Sequence, residues 1–225
     1  MSKLEPIENP DRKNHMREIG RRLFQPHDTC EAIFKPAVEA CLMFHTTDRS
    51  DNDYLTEQQY EAGIAAAKRS GDTGFVLSTL HGIFSDDPER RFYIGKPRVQ
   101  VDGQEMAEYW WCEFPPHQDY WHTAVGAAWD TAVYATNAHW GIYTNRELWQ
   151  VVGGNIDFIS DIDRMYPAWR DAVISLLDEW DGEIARGTSI GDVLIYLLDC
   201  WTKWPADEWV ETFRAALHSK LTGGL

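Results

Sequence analysis

His139-Trp140-Gly141-Ile142-Tyr143-Thr144, followed by Val151-Val152-Gly153-Gly154-Asn155-Ile156-Asp157-Phe158-Ile159, is the stretch in which the chain changes its period. Through Val152 the residues are aromatic and β-branched, as suits a pleated surface. Gly153-Gly154 reads as a turn, and Asn155 has the short acceptor side chain of a helix N-cap. Beyond it Phe158, Ile159, Ile162, Met165 and Tyr166 recur at helical spacing. Strands therefore lie upstream of this point and helices downstream.

Upstream, Phe75 to Leu80 is a short apolar run that suits a buried strand. Arg91 to Ile94, Arg98 to Val101, Val125 to Trp129 and Ala132 to Thr136 are further strand candidates. Asp102-Gly103 signals a two-residue hairpin, with Tyr109-Trp110-Trp111 continuing the return strand. The reading is an antiparallel meander of four to six strands across residues 75–152. Downstream, Pro167 opens a helix with the stripe Trp169, Val173, Leu176, Leu177 and Trp180. Thr188 or Ser189 caps the next, and Pro205 opens the last, with Trp209, Val210, Phe213 and Leu217 inward.

The first part of the chain has fewer signals. Residues 1–22 are charged and punctuated by Pro6, Asn9, Pro10 and Asn14, which reads as a loose arm. Thr29 to Phe44 reads as a turn and then a helix from Pro36. Thr56 and Gln59 make a capping box for a helix that Gly71 ends. Strands followed by helices make an α+β fold: a central antiparallel meander sheet packed by N-terminal and C-terminal helices. Residues 23–225 form one domain, with a sub-boundary near residue 153 before the C-terminal helices.

Charge and aromatics are unevenly spread. Residues 1–100 carry 16 acidic and 14 basic side chains, whereas residues 101–225 carry 20 and 7, and all 11 tryptophans lie between Trp110 and Trp209. The acidic half disfavours phosphate backbones and anionic membranes and complements a basic protein partner. No run approaches the roughly 20 apolar residues of a membrane span, and the charged N-terminus lacks the apolar core of a signal peptide. The four dispersed cysteines read as reduced thiols. Cytoplasmic residence is the expectation.

Four groupings could carry chemistry. His27, Cys30, Cys41 and His45 are zinc-ligand types with zinc-like outer spacings, although the segment between them is an apolar stripe that can hold itself together. Cys112, His117, His122 and His139, with Asp119, surround Pro115-Pro116 and could build a hydrolase site in the 112–139 loop region, with or without metal. Carboxylates beside tryptophans, such as Glu108 and Glu113 near Trp110 and Trp111, invite a sugar-site reading, but strand alternation divides them between two faces. Asp161, Asp163, Asp178, Glu179, Asp181 and Glu183, with Asp157, Asp171 and Asp192, fall mainly on solvent sides of the C-terminal helices. They form either a solvated face or a docking face for a basic protein. Nucleophile-elbow, phosphate-loop, dinucleotide and zinc-protease motifs are all missing. No cofactor is expected. Gly71-Asp72-Thr73-Gly74 follows a helix rather than a strand and reads as a helix stop, not as an acid-protease motif.

The stretch 139–167, from the Trp-Gly strand start through the Gly-Gly turn to the Phe-bearing helix and Tyr166-Pro167, resembles small bacterial proteins of the polymorphic-toxin immunity type. It covers about 30 residues and carries over no functional residue. The resemblance implies an inhibitor that covers a basic toxin or effector. A hydrolase working from the 112–139 region is the alternative.

Overall fold

A computed structural model describes residues 4–26, 32–35, 38–45, 57–84, 100–101, 104–105, 109–114, 131–144, 149–179, 182, 194–195 and 208–222. In chain order its elements are β1 (Leu4–Pro6), α1 (Pro10–Leu23), β2 (Phe24–Pro26), β3 (Ala32–Phe34), β4 (Ala40–His45), α2 (Glu57–Arg69), β5 (Gly74–Thr79) and α3 (Leu80–Phe84). There follow β6 (Gln100–Val101), β7 (Gln104–Glu105), β8 (Tyr109–Glu113), β9 (Thr131–Tyr134), β10 (Trp140–Thr144) and β11 (Trp149–Gly154). Three helices complete the set: α4 (Ile156–Met165), α5 (Trp169–Glu179) and α6 (Glu208–Leu221).

The predicted α+β architecture is present. Seven strands form one sheet in the order β1-β8-β5-β9-β10-β11-β4, every neighbouring pair antiparallel. β9, β10 and β11 are a true meander. β5 inserts between β8 and β9, so the order is not the sequential one expected across residues 75–152. The Asp102-Gly103 hairpin signal holds, because β6 and β7 pair with Val101 opposite Gln104. Among the described residues the return strand is Gln104–Glu105, and Tyr109-Trp110-Trp111 belongs to the large sheet. The other strand candidates, 91–94 and 125–129, lie outside the described residues.

Helices cover both faces of the sheet. On one, α1, α3 and the β2–β3 hairpin pack down. Tyr134 Oη donates to the Met16 carbonyl at 3.0 Å, and Tyr109 Oη donates to Gly82 at 2.6 Å. Gly141 and Gly153 are cross-strand partners on this face. Phe24 and Phe34 are likewise partners in the β2–β3 hairpin, and their rings sit 4.8 Å apart over the two glycines. Gly153 and Gly154 thus end β11 rather than make a turn. They are small because a ring or a backbone comes close, not because the chain reverses. On the opposite face the Trp140 ring lies flat on Phe158 of α4, centroids 5.3 Å apart, and α5 packs against β4.

Several helix signals are used as read. Asn155 caps α4 by accepting from Phe158 N–H at 2.9 Å. Gly71 follows α2 at φ +80°, the left-handed position that favours glycine. The inward stripes of α5 and α6 bury Trp169, Val173, Leu177, Val210, Phe213 and Leu217.

Two further readings are overturned. Of the arm expected over residues 1–22, the described residues 4–22 are not loose: they supply edge strand β1 and most of helix α1. The Asn9-Pro10 punctuation is the N-cap and first helical residue of α1, Asn9 accepting from Arg12 N–H at 2.9 Å. Met16, Ile19, Gly20 and Leu23 are its buried stripe. Residues 40–45 are a strand, not a helix. Ala40, Cys41 and Leu42 are each fully buried, and because alternate strand residues face opposite sides, both faces of β4 are covered. An apolar run covered on both faces has no period to distinguish it from a buried helix.

Candidate functional site

The expected catalytic loop region places its two described members apart. Cys112 on β8 lies in the same row across the sheet as Trp140, by way of Phe75 on β5 and the end of β9. That row contains three strand-to-strand steps, about 14 Å at roughly 4.8 Å each. Cys112 is fully buried, and desolvation followed by the neighbouring Glu113 charge pushes its thiol up to about 12. An activated nucleophile needs the reverse shift and a base within hydrogen-bond reach. His139 is exposed at the start of β10. His117 and His122 lie outside the described residues.

The His139 charge acts instead on a carboxylate outside the predicted site residues. Asp72, between the end of α2 and β5, accepts from Trp140 Nε1 at 2.7 Å through one oxygen and from Asn137 Nδ2 at 3.0 Å through the other. Burial raises its carboxyl above the usual aspartate range. The indole hydrogen bond, the nearby His139 charge and the Asn137 bond act in the opposite direction and offset this only in part. Both oxygens already hold neutral donors, so the group is arranged to grip the β9–β10 turn rather than to take a proton from a substrate. The sequence signal was Gly71-Asp72, read as a helix stop. It is one, and it also delivers this side chain.

The zinc quartet is not assembled by its described pair. Cys41 and His45 are four residues apart along β4, about 13 Å between Cα atoms at roughly 3.3 Å per residue. Two ligands of one tetrahedral zinc lie within about 4 Å of each other. In a helix the same spacing would have brought them to within about 5–6 Å of each other. His27 and Cys30 lie outside the described residues. Among the described residues no group of three or more His, Cys, Asp or Glu side chains could hold a metal.

The acidic helices hold the better candidate, with a changed membership. Asp161 is half-buried and paired with Arg69 at 3.1 Å and Arg164 at 2.6 Å. Asp163 accepts from Trp169 Nε1 at 2.7 Å and pairs with Arg170 at 3.3 Å. The Arg170 guanidinium also lies over the Trp169 and Trp209 rings, 5.3 and 5.4 Å from their centroids. These two carboxylates are internal struts whose charge is locally cancelled. Asp178 pairs with Lys220 at 3.3 Å but remains largely exposed. Glu179 is the last residue of α5, and Asp181 and Glu183 lie outside the described residues.

The same contacts fix the geometry of the face. Trp169 meets Trp209 near the start of each helix, centroids 5.1 Å apart, and Asp178 meets Lys220 near the end of each. α5 and α6 therefore run side by side in the same direction. Asp171 in the first turn of α5 and Glu208 in the first turn of α6 face solvent at the shared positive end of the two helices. Among the described residues, the carboxylates of Asp157, Asp171 and Glu208 take part in no ion pair. Between Asp171 and Asp178 on the outer face of α5 stands Ile174, 39% exposed. It and Ile195 are the large apolar side chains left exposed among the described residues.

Among the described residues, no helix is long and apolar enough to cross a membrane. No family model, curated protein or solved structure matches this chain.

Proposed function

We propose that this chain is an acidic protein-binding module of the immunity type, which sequesters a basic toxin or effector against the α5–α6 face. The observation that carries the reading is Ile174: an isoleucine held in solvent on a helix, flanked one turn before by Asp171 and one turn after by Asp178. An apolar anchor with Asp171 outside any ion pair beside it and a largely exposed Asp178 one turn on matches the make-up of an interface centre with a polar rim. The Trp169–Arg170–Trp209 packing and the Lys220–Asp178 pair join the two helices, so the face is formed before binding and little ordering cost remains. The net charge of −15 supplies long-range attraction to a cationic protein. Cytoplasmic residence belongs to the same proposal.

The test is affinity capture at low and moderate salt, followed by binding measurements with the captured protein. Wild type is compared with Asp171→Lys/Glu208→Lys and with Ile174→Asp. A basic partner is expected, with association slowed by salt and by the charge reversal, and affinity reduced tenfold or more by Ile174→Asp. Affinity unchanged in both variants, with circular dichroism showing intact folds, refutes this face as the docking site.

A further inference from the structure

α2 is tied to the end of α4 at two places. Gln59, near the start of α2, donates to Tyr166 Oη at 3.3 Å in the interior. Arg69, the last residue of α2, is held nearer the surface. Its Nε lies 3.1 Å from Asp161 Oδ2, and its Nη2 donates to Met165 Sδ at 3.0 Å. Asp161 and Met165 stand about one turn apart on α4, a spacing that makes them neighbours on the helix surface. The guanidinium therefore spans that turn, with a carboxylate at one edge and a thioether at the other. Arg164 also holds Asp161, at 2.6 Å, so the carboxylate that anchors Arg69 is itself fixed.

The two halves of this clasp are chemically unequal. A guanidinium carries only donors, set in a planar fork that matches a pair of oxygen acceptors. A thioether is a weak acceptor. A strong donor thus faces a weak acceptor at Met165. Addition of one oxygen to the sulfur turns that weak acceptor into a strong one, beside an N–H that is already in place. The sulfur is also within reach of solvent. Met165 packs at the margin of the core and is partly exposed. The Arg69 side chain is 46% exposed, which leaves it room to withdraw as the oxygen enters. Met16, in the buried stripe of α1, is 5% exposed and is shielded by comparison.

We infer that Met165 is a site of oxidative modification, and that Arg69 holds the sulfoxide once it has formed. The oxidant is a hydroperoxide. A lone pair of Sδ attacks the terminal peroxide oxygen, and the S–O bond forms as the O–O bond breaks. Sulfur loses the two electrons that the peroxide gains. The proton of the transferred oxygen passes to the departing hydroxide or alkoxide, which leaves as water or an alcohol. The new oxygen accepts from Arg69, while Asp161 keeps the other edge of the guanidinium. A methionine sulfoxide ordinarily disrupts its surroundings, because an apolar side chain has become polar. Here the oxygen meets a cation at the margin of the core, so α2 and α4 stay joined.

The test exposes the folded protein to dilute hydrogen peroxide and maps the sulfoxide by peptide mass spectrometry. Met165 is expected to be oxidised while Met16 remains reduced. Thermal unfolding of the reduced and oxidised forms is then compared in wild type, Arg69→Leu and the double variant Arg69→Leu/Met165→Leu. Oxidation should lower the Tm of Arg69→Leu by about 2–4 °C more than that of wild type. The double variant should lose this excess, which separates Met165 from the other methionines. A Met165 that stays reduced, an equal shift in wild type and Arg69→Leu, or an excess that survives in the double variant each overturns the inference. If Arg69→Leu does not fold, Met165→Gln decides, because its amide oxygen stands in for the sulfoxide oxygen. With Arg69 present its Tm should stay within about 2 °C of wild type, and a larger loss overturns the site.

Discussion

Gly153→Ala tests how the small β2–β3 hairpin is seated on the sheet. A Cβ at this position would lie 2.8 Å from Cζ and 2.9 Å from both Cε atoms of Phe34, against an ordinary carbon–carbon contact of about 3.5–4.0 Å. The ring cannot simply retreat, because Phe24 packs on it at 4.8 Å and Phe24 in turn contacts Tyr134 at 6.2 Å. Overpacking of this kind costs about 1–3 kcal/mol. The methyl also restricts the unfolded chain, which offsets about 0.4–1 kcal/mol. The expected net loss is about 1–2 kcal/mol. For a chain of this length that corresponds to a fall in Tm of about 2–8 °C. Urea denaturation followed by tryptophan fluorescence reads the change as a lower midpoint at unchanged slope. The mechanism is tested by a cycle with Phe34→Leu, which removes the opposing ring edge. In that background the Gly153→Ala loss should shrink by about 1 kcal/mol or more. An equal loss in both backgrounds, or no loss in either, refutes the ring-on-glycine seating.

Three further outcomes are expected. Ala138→Gly relieves a left-handed alanine, worth about 1–2 kcal/mol, against about 0.5–1 kcal/mol of added unfolded-state freedom; calorimetry should show a gain of up to about 1 kcal/mol, and a loss would contradict the strained turn. Asp163→Ala removes the acceptor of the buried Trp169 indole and the partner of Arg170, and should cost about 1–3 kcal/mol in urea denaturation, an effect under 0.5 kcal/mol showing that the acid is an ordinary surface charge. Burial raises Cys112 to about 12 and Tyr134 well above its ordinary value, so both stay protonated in the fold. Their contribution to stability is complete below the unfolded values, 9.0 and 10.0, and is lost as pH rises beyond them. Their shares should therefore lower denaturation midpoints above about pH 9, and iodoacetamide should leave native Cys112 unmodified at neutral pH; rapid native labelling would reopen the nucleophile reading.

How much was legible depends on the range of the interaction that carries each feature. Asn155 and Gly71 act within four residues of themselves, so their identity alone marks where α4 begins and α2 ends. The stripes of α5 and α6 are legible for the same reason. Asn9-Pro10 was legible in principle as a cap and first turn, but the charge around it pointed to a loop. Residues 40–45 were not legible, because a run buried on both sides looks alike as strand or helix. The docking face shows the same division: Asp161, Asp163, Asp171 and Asp178 look equivalent on paper, yet Arg69 and Arg170 cancel the first two and Lys220 partly cancels the last.

By itself the sequence determined the α+β class, the change from strands to helices near residue 153, the Asn155 cap, the Gly71 helix stop and the acidic bias of the second half, all of which follow from local backbone preference and summed charge. Only the tertiary structure decided that β5 lies between β8 and β9, that Cys112 and His139 stand three strands apart, and that Asp72 reaches Trp140. A strand satisfies its hydrogen bonds with whichever distant segment presents a matching edge. A carboxylate likewise keeps or loses its charge according to the side chains folding brings beside it. Neither partner is written in the neighbouring residues.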